Sequence, residues 1–264
     1  MRQAVLLKLG GSLITDKAGE ERARPEVLER LAAEIVRSAR SLPGELIVGH
    51  GSGSFGHVAA HRYSLAQGLR SADQLPGVSL TQDRAAALHR LVIGALSAAG
   101  ALPFSLAPSS CVVAAAGRPV DIADEPLLLA LGHGLIPVLY GDVVLDREWG
   151  VSICSTERLF ELLARRLGRR GVRVRRAIWL GATDGVYDSA GRPIPRLSAE
   201  GFATAREAIG GAAGADVTGG MLHRVETALA LAQLGIPSLI ANGTIPGLLE
   251  SVLRGDHVPG TEVG

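Results

Sequence analysis

The sequence predicts an α/β protein, a three-layer α/β/α sandwich around a mostly parallel central sheet. Short runs rich in Val, Ile and Leu alternate with longer stretches of helical periodicity along the chain. These runs are apolar at nearly every position, as in strands that are covered on both faces. The 34 glycines gather at the ends of the runs, so we expect backbone to approach a ligand in several loops.

The predicted elements follow one another in order. Six apolar runs are assigned to strands, at 4–9, 45–49, 103–107, 136–140, 176–181 and 237–241. Helical patterns lie between or after them, at 25–41, 83–99, 124–133, 155–167, 221–234 and 246–253. Short strands near 110–122 and 142–151 predict β-hairpins at an edge or lid. A polar stretch with glycines near residue 170 suggests two lobes, 1–170 and 171–264, within one continuous domain.

The charge balance and the cysteines argue against several classes of protein. With 27 basic and 26 acidic residues, the chain lacks the basic excess that is typical of nucleic-acid binding. The two cysteines, Cys111 and Cys154, lie far apart without metal-ligand spacing, as in a reduced cytoplasmic protein. No apolar run reaches the length of a membrane span. We therefore expect a cytoplasmic protein that binds neither nucleic acid nor membrane.

The stretch GHGSGSFGH, at 49–57, contains the pattern G-x-G-x-x-G directly after a predicted strand. A dinucleotide site also needs an acidic residue at the end of the next strand. No strand precedes Asp73, which lies in a loop-like stretch. The glycines therefore favour another anion, while an oxidoreductase that binds NAD(P) here stays open as an alternative.

A second glycine turn follows the first strand, in LLKLGGSLITDK at 6–17. Gly10 and Gly11 free the backbone N–H groups to point at an oxyanion. Lys8 and Lys17 flank the turn, and compact cations of this kind suit a polyphosphate. Lys8 interrupts an apolar strand, where a charge is costly unless it is paired, so it favours a functional role. A tight turn with surface lysines is the alternative, and for Lys17 it is equally good.

Two further clusters lie at predicted turns. In DVTGGMLHR, at 216–224, two glycines open a helix whose N-terminus would attract phosphate, and Arg224 follows one turn later. In LGATDGVYD, at 180–188, a turn follows a strand at the edge where α/β sheets bind ligands. The turn residues there are Thr183, Asp184 and Gly185. Taken alone, each cluster indicates an ordinary turn or helix start.

Taken together, these motifs resemble those of the amino acid kinase superfamily, and within it the isopentenyl phosphate kinases. The resemblance runs nearly end to end, through LLKLGGSLITDK, GHGSGSFGH, PVLYGDVVLD, LGATDGVYD and DVTGGM. The first, fourth and fifth of these belong to the superfamily and relate to ATP. The specific element is GSFGH, which ends in His57, because related kinases acting on amino acids or nucleotides carry other residues there.

The resemblance implies an amino acid kinase-like fold with small β-hairpins on the acceptor side. It also implies that residues 1–170 bind the acceptor, that residues 171–264 bind ATP, and that the protein is a homodimer. The implied reaction is in-line transfer from ATP to isopentenyl phosphate, which gives isopentenyl diphosphate. A phosphate monoester is largely dianionic at neutral pH, so alignment and charge neutralisation matter more than a general base. Mg²⁺ would travel with ATP on phosphate oxygens and water, without protein ligands.

The resemblance also assigns roles to individual residues. The lysines would bridge the β- and γ-phosphates, His57 would hold the acceptor phosphate, and Asp216 would orient the cations. The catalytic set is Lys8, Lys17, His57 and Asp216. The ATP-binding set is Lys8, Gly10, Gly11, Ser12, Lys17, Thr183, Asp184, Gly185, Tyr187, Gly219, Gly220 and Arg224. The acceptor-binding set is Gly51, Ser52, Gly53, His57, Ser155 and Thr156.

Two points of the acceptor assignment stay open. His50 is a competing histidine in the same predicted loop as His57. The apolar tail of the acceptor is expected along the helix within 77–100, whose candidate residues are Leu80, Ala87 and Leu91.

The chain departs from the family pattern in two places. Arg224 stands where lysine is usual, and it offers a planar fork instead of a point charge. Ser155-Thr156-Glu157 stands where Ser-Gly-Asp is common, so Thr156 adds a side chain near the acceptor phosphate. These departures leave two alternatives to the isopentenyl phosphate assignment. One is a kinase of another small phosphate or phosphonate such as fosfomycin, which a small polar pocket would favour. The other is a non-catalytic nucleotide-binding sensor or storage subunit.

Overall fold

The structure, a computed structural model, describes residues 2–16, 19–39, 45–211 and 220–264. The strands are β1 (Arg2–Leu9), β2 (Leu46–His50), β3 (Pro103–Ser105), β4 (Val112–Ala115), β5 (Arg118–Ile122), β6 (Ile136–Tyr140), β7 (Asp142–Asp146), β8 (Gly150–Cys154), β9 (Val172–Gly181), β10 (Arg196–Leu197), β11 (Ser238–Asn242) and β12 (Thr261–Val263). The α-helices are α1 (Gly11–Ile14), α2 (Pro25–Ala39), α3 (Gly53–Arg62), α4 (Leu75–Ala98), α5 (Pro108–Cys111), α6 (Glu125–Gly132), α7 (Thr156–Arg169), α8 (Ala199–Gly211), α9 (Gly220–Ala232) and α10 (Leu248–Arg254).

The central sheet is mostly parallel, as the apolar runs predict. Within the described ranges it has eight strands in the order β10-β12-β11-β9-β1-β2-β6-β3. From β11 to β3 each neighbouring pair is parallel, while β12 pairs antiparallel with β11 and β10 pairs parallel with β12. The carboxyl ends of the parallel strands therefore meet at one edge, where α/β sheets bind their ligands.

Helices cover both faces of this sheet. Alternate residues of a strand face opposite sides. In β1, Leu6 belongs to a core that is shared with α7 and α9, while Leu7 belongs to a second core with α2, α4 and α10. Fully burying one such leucine contributes about 1.5–3 kcal/mol. The three-layer α/β/α prediction is confirmed, and every residue of β1 has a defined side.

A second sheet is built from two hairpins, as expected for residues 110–122 and 142–151. Its four strands, among the described residues, are ordered β5-β4-β7-β8. Asp146, buried at the end of β7, organises this sheet. Its carboxylate accepts hydrogen bonds from the backbone N–H of Ala116, Gly117, Glu148 and Trp149 and from the Ser152 hydroxyl. Burial alone would raise the pKa of Asp146, but these bonds outweigh burial and lower it.

The predicted elements are all present, with three main differences in extent. The stretch after Gly53, predicted as a loop, forms helix α3, the helix predicted at 83–99 begins at Leu75, and the strand predicted at 176–181 begins at Val172. Helices α1, α5 and α8 and strands β10 and β12 were not expected. Glycines lower the intrinsic helix propensity of the α3 segment, and packing against α4 compensates for this loss. Across the described part of the chain, no helix combines the length and the apolar character needed to cross a membrane.

Candidate active site

The loops that carry most of the predicted site residues meet at the carboxyl edge of the central sheet. They follow β1, β2, β6, β9 and β11. Each of the first three turns is tied to a neighbouring strand by a backbone hydrogen bond. These bonds run from Gly10 N to Leu180 O at 2.8 Å, from Gly51 N to Leu9 O at 3.0 Å and from Gly141 N to His50 O at 2.9 Å. The sheet thus fixes the relative positions of the turns.

The two predicted glycine turns pack directly against each other. A Cβ built on Gly11 would lie 2.7 Å from the backbone nitrogen of Gly53. A Cβ built on Gly51 would lie 2.8 Å from the nitrogen of Gly11. Gly53 also has φ +51°, a left-handed conformation that favours glycine. Only glycine permits this approach, so the two turns lie in direct contact.

The dinucleotide alternative does not fit this arrangement. Helix α3, which begins at Gly53, is followed along the chain by helix α4 rather than by a parallel strand. Asp73 lies in a short 3₁₀ turn between these helices. The acidic strand end that would hold a ribose is therefore missing from the described part of this unit.

Lys8 is buried at the edge of the sheet and paired with a carboxylate that sequence reasoning missed. It lies two residues after Leu6, so it faces the side covered by α7. There its ammonium forms an ion pair with Glu157, and each residue is only 5% exposed. Burial alone would raise the pKa of Glu157, but the charges of Lys8 and Arg224 outweigh it and lower the pKa to about 2. Glu157 is therefore ionised at neutral pH and holds Lys8 in place.

Arg224 brings a second buried cation to the same face. It is 7% exposed, and its Nε makes no hydrogen bond to any described residue. Its guanidinium lies over the ends of two strands: a Cβ built on Gly181 would be 2.9 Å from Nη1, and one on Gly10 would be 3.8 Å from Nη2. A buried, incompletely bonded cation beside a glycine turn is suited to an anionic ligand.

His57 lies on helix α3, four residues after Gly53, rather than in a loop. It is exposed and faces a cleft between α3, α4 and the β7–β8 hairpin. The cleft is lined by Ser52, Gly56, His57, Ala60, Thr81, Ala85, Gly141, Asp142 and Ile153. The helix predicted to hold the apolar tail does line the cleft, through Thr81 and Ala85. The expected residues Leu80, Ala87 and Leu91 do not, and Leu91 is 47% exposed.

His50, the competing histidine, is a buried structural residue. Its Nδ1 donates to the carbonyl of Gly51 at 3.0 Å, and its Nε2 lies 3.0 Å from Nδ1 of His89. Both imidazoles stack on the ring of Tyr140. Burial lowers the pKa of His50 to about 4, so it is neutral at physiological pH. His50 therefore stabilises the glycine turn from its buried side, and His57 is the one of these two histidines that lines the cleft.

The residues in place of Ser-Gly-Asp are bonded within the protein. Thr156 is buried, and its Oγ1 donates to the carbonyl of His50 at 2.6 Å. The Oγ of Ser155 caps α7 by accepting from the N–H of Arg158, and it lies 2.9 Å from Nε2 of His223. Neither side chain lines the cleft. Thr156 thus ties the start of α7 to the end of β2 instead of presenting its hydroxyl to an acceptor.

The predicted nucleoside residues lie together at the ends of β9 and β11. Asp184 accepts from the amide of Asn242 at 2.8 Å and from the hydroxyl of Tyr187 at 3.2 Å. Gly185 has φ +141°, and the Thr183 hydroxyl has no hydrogen-bond partner within the described residues. Asn242 was not predicted, although a polar residue that ends an apolar strand was the available signal.

Part of the predicted set cannot be placed. Lys17, Asp216 and Gly219 lie outside the described residues, whereas Ser12 follows Gly11 in α1 and Gly220 begins α9. In the ranges that the structure covers, no three His, Cys, Asp or Glu side chains form a cluster that could hold a metal ion. Glu157, the carboxylate beside the cations, is already engaged by Lys8.

The fold and the site define an α/β protein in which two glycine turns are in direct contact at one sheet edge, with buried cations nearby. Residues 3–242 match the model of the amino acid kinase family, and the chain belongs to this family. An isopentenyl phosphate kinase of Methanothermobacter thermautotrophicus is 37% identical over 271 residues, 98% of each chain. One of Haloferax volcanii is 33% identical over 259 residues, again 98% of each. A solved structure of isopentenyl phosphate kinase has a TM-score of 0.82 and 32% identity, and covers 98% of this chain and 100% of its own.

Proposed function

We propose that this protein transfers the γ-phosphoryl group of ATP to isopentenyl phosphate, giving isopentenyl diphosphate and ADP. The observation that carries the proposal is the direct contact between the Gly10–Gly11 turn and the Gly51–Gly53 turn. Lys8 and Arg224 are buried cations at the ends of the strands that precede these turns, and His57 lines a cleft that begins at Ser52. The full-length likeness to isopentenyl phosphate kinases supports the same acceptor.

The cationic side of the site suits the phosphates of ATP. Gly10 and Gly11 let the turn pack closely against the backbone of Leu180 and Gly53, and Arg224 has an N–H left to donate. Lys8 neutralises negative charge on the phosphoryl group in flight, and Glu157 keeps its ammonium oriented without taking a proton. Lys17, Asp216, Gly219 and Gly220 are proposed to complete the donor side. Thr183, Asp184, Gly185 and Tyr187 are proposed to border the nucleoside.

Mg²⁺ is proposed to enter with ATP. The donor set around the glycine turn is cationic, and Glu157 is committed to Lys8, so these residues do not form a protein cage for the ion. Phosphate oxygens and water are the ligands that Mg²⁺ most often keeps in such sites. When bound there, the ion would neutralise part of the phosphate charge.

His57 and the cleft are proposed to place the acceptor. Its phosphate would lie between His57 and the backbone of the Gly51–Gly53 turn, in line with the donor. The nucleophilic oxygen of a phosphate monoester is already largely deprotonated at neutral pH, so no side chain needs to remove a proton. Ala60, Ala85 and Ile153 supply the apolar surface of the cleft for the tail.

The proposal extends to the organisation of the protein. Residues 1–170 would form the acceptor lobe and residues 171–264 the ATP lobe. The cleft residues come from the first segment, while Arg224, Asp184 and Asn242 come from the second. A homodimer is proposed from the family resemblance, and size-exclusion chromatography with light scattering tests it. A cytoplasmic location is proposed because both cysteines are free thiols.

An acceptor panel tests the function. Purified protein is incubated with Mg-ATP and isopentenyl phosphate, dimethylallyl phosphate, fosfomycin or short alkyl phosphates, and ADP is measured. We expect the highest specificity constant with isopentenyl phosphate. A preference for fosfomycin would assign another acceptor, and ATP binding without turnover would indicate a nucleotide sensor. His61→Ala is the matched control for His57→Ala, because His61 is an exposed histidine on the same helix.

A further inference from the structure

Thr81 places an unsatisfied hydroxyl in the wall of the acceptor cleft. It is 3% exposed, and its Oγ1 makes no hydrogen bond to any described residue. Helical Ser and Thr often bond to the carbonyl four residues earlier. Ser38 does so in this chain, with its Oγ 3.0 Å from the carbonyl of Glu34. Thr81 does not, although an unpaired buried hydroxyl is costly. Its hydroxyl therefore lacks a partner, which a polar group of a ligand in the cleft would supply.

The position of Thr81 along α4 sets which part of an acceptor it meets. Helices α3 and α4 run antiparallel, with Gly56 beside Ala85 and Gly77 beside Tyr63. Gly56 adjoins the glycine turn proposed for the acceptor phosphate. Thr81 lies one helical turn from Ala85, about 6 Å along the axis and away from that glycine turn. It therefore faces the carbon chain of an acceptor, at about its third or fourth carbon, rather than the phosphate.

The charge of the cleft restricts the group that Thr81 would meet. Asp142 lines the same cleft, is 2% exposed, and accepts from the N–H of Ser109 at 3.1 Å and of Val143 at 2.8 Å. No Lys or Arg lines the cleft among the described residues. A second anionic group on the acceptor would share the cleft with this carboxylate and meet no Lys or Arg in its lining, whereas a neutral hydroxyl would find a partner in Thr81.

We propose that the acceptor range of this kinase extends to short-chain monophosphates with a neutral hydroxyl near the third carbon, and that Thr81 Oγ1 recognises it. The inference rests on the proposed function for the position of the acceptor phosphate. It names a class of acceptor that combines a hydrocarbon tail with one hydrogen-bonding group. Thr81 is then the residue that sets the balance between hydroxylated and purely hydrocarbon tails.

The test is a cycle that removes one hydroxyl from the protein and one from the ligand. Affinities of 3-hydroxy-3-methylbutyl phosphate and 3-methylbutyl phosphate are measured by calorimetry for wild type and for Thr81→Val, which is nearly isosteric. We expect wild type to bind the hydroxylated ligand about fivefold more tightly, and Thr81→Val to lose this advantage. The same ligand preference in both proteins would overturn the inference.

Three controls sharpen the cycle. Thr81→Ser keeps the hydroxyl and should keep the preference for the hydroxylated ligand. Ser79→Ala removes an exposed hydroxyl from the same helix and should change neither affinity. A phosphate whose tail ends in a carboxylate should bind at least tenfold more weakly than the hydroxylated one, and equal binding would refute the argument from Asp142. Melting temperatures within a few degrees of wild type show that each variant is folded.

The inference and the proposed function can fail separately. If the wild type phosphorylates isopentenyl phosphate but shows no coupling between the two hydroxyls, the proposed function stands and the role of Thr81 is refuted. If the wild type shows the coupling in binding but forms no ADP with any acceptor, the recognition of the hydroxyl stands and the kinase assignment is refuted.

Discussion

The ion pair at the base of the site gives the most quantitative prediction. Glu157→Gln keeps the shape of the side chain and removes the negative charge that forms the ion pair with the buried ammonium of Lys8. The pKa of Glu157 falls from 4.5 to about 2 in the folded protein, which corresponds to about 3 kcal/mol. Removing one partner of a buried ion pair typically costs about 3–5 kcal/mol. We therefore expect the free energy of unfolding at pH 7 to fall by about 3 kcal/mol or more.

Urea unfolding as a function of pH tests this reasoning. Because the folded-state pKa lies below the unfolded value, the contribution of Glu157 is complete above about pH 5 and is lost as the pH falls toward 2. Wild type and Glu157→Gln should therefore differ most at pH 7 and converge in acid. Glu157→Asp keeps the charge and should lose less stability than Glu157→Gln. A difference below about 1 kcal/mol at pH 7, or one that is the same at pH 4, would refute the ion-pair argument.

Four further substitutions test, in turn, the second sheet, the donor side of the site, the acceptor side and the start of α7. Asp146→Asn should lower the free energy of unfolding by about 3 kcal/mol at neutral pH, as measured in urea, because several donors lose an ionised acceptor. This loss of stability should shrink in acid, since the pKa of Asp146 is lowered in the folded protein. Arg224→Leu should raise the KM for ATP much more than Arg224→Lys, which keeps the charge; an unchanged KM for ATP in Arg224→Leu would show that Arg224 does not bind the nucleotide. His57→Ala should lower kcat/KM for the acceptor at least 100-fold with little change in the KM for ATP, while His61→Ala should stay near wild type. Thr156→Gly should cost about 1–2 kcal/mol of stability, because the bond to the backbone of β2 is lost, and a variant as stable as wild type would deny that bond a structural role.

The sequence was sufficient to predict six of the eight strands described for the central sheet, but not the short strands β10 and β12. The apolar run of β1 predicts a buried strand, and a lysine within that run predicts a partner of opposite charge. The identity of the partner could not be predicted in this way, because Lys8 and Glu157 are 149 residues apart in the chain. Only the crossing of α7 over the sheet brings them together, and this contact depends on tertiary packing.

The acceptor side was less predictable for a different reason. The motif around Gly53 indicated a ligand, but its glycines concealed the start of a helix whose stability comes from packing on α4. On α4 itself, apolar residues were expected to face the tail. The helix is instead rotated so that Leu91 is exposed and Thr81 is buried, because several of its faces are occupied by neighbouring elements. Periodicity alone does not assign one face to a ligand when most faces are covered.

A crystal structure with Mg-ADP and isopentenyl phosphate bound tests the central claim most directly. We expect the β-phosphate of ADP at the Gly10–Gly11 turn, within reach of Lys8 and Arg224. The acceptor phosphate should lie against the Gly51–Gly53 turn and the imidazole of His57, with the two phosphates facing each other. A nucleotide bound along the turn after β2, or an acceptor phosphate far from His57, would contradict the account.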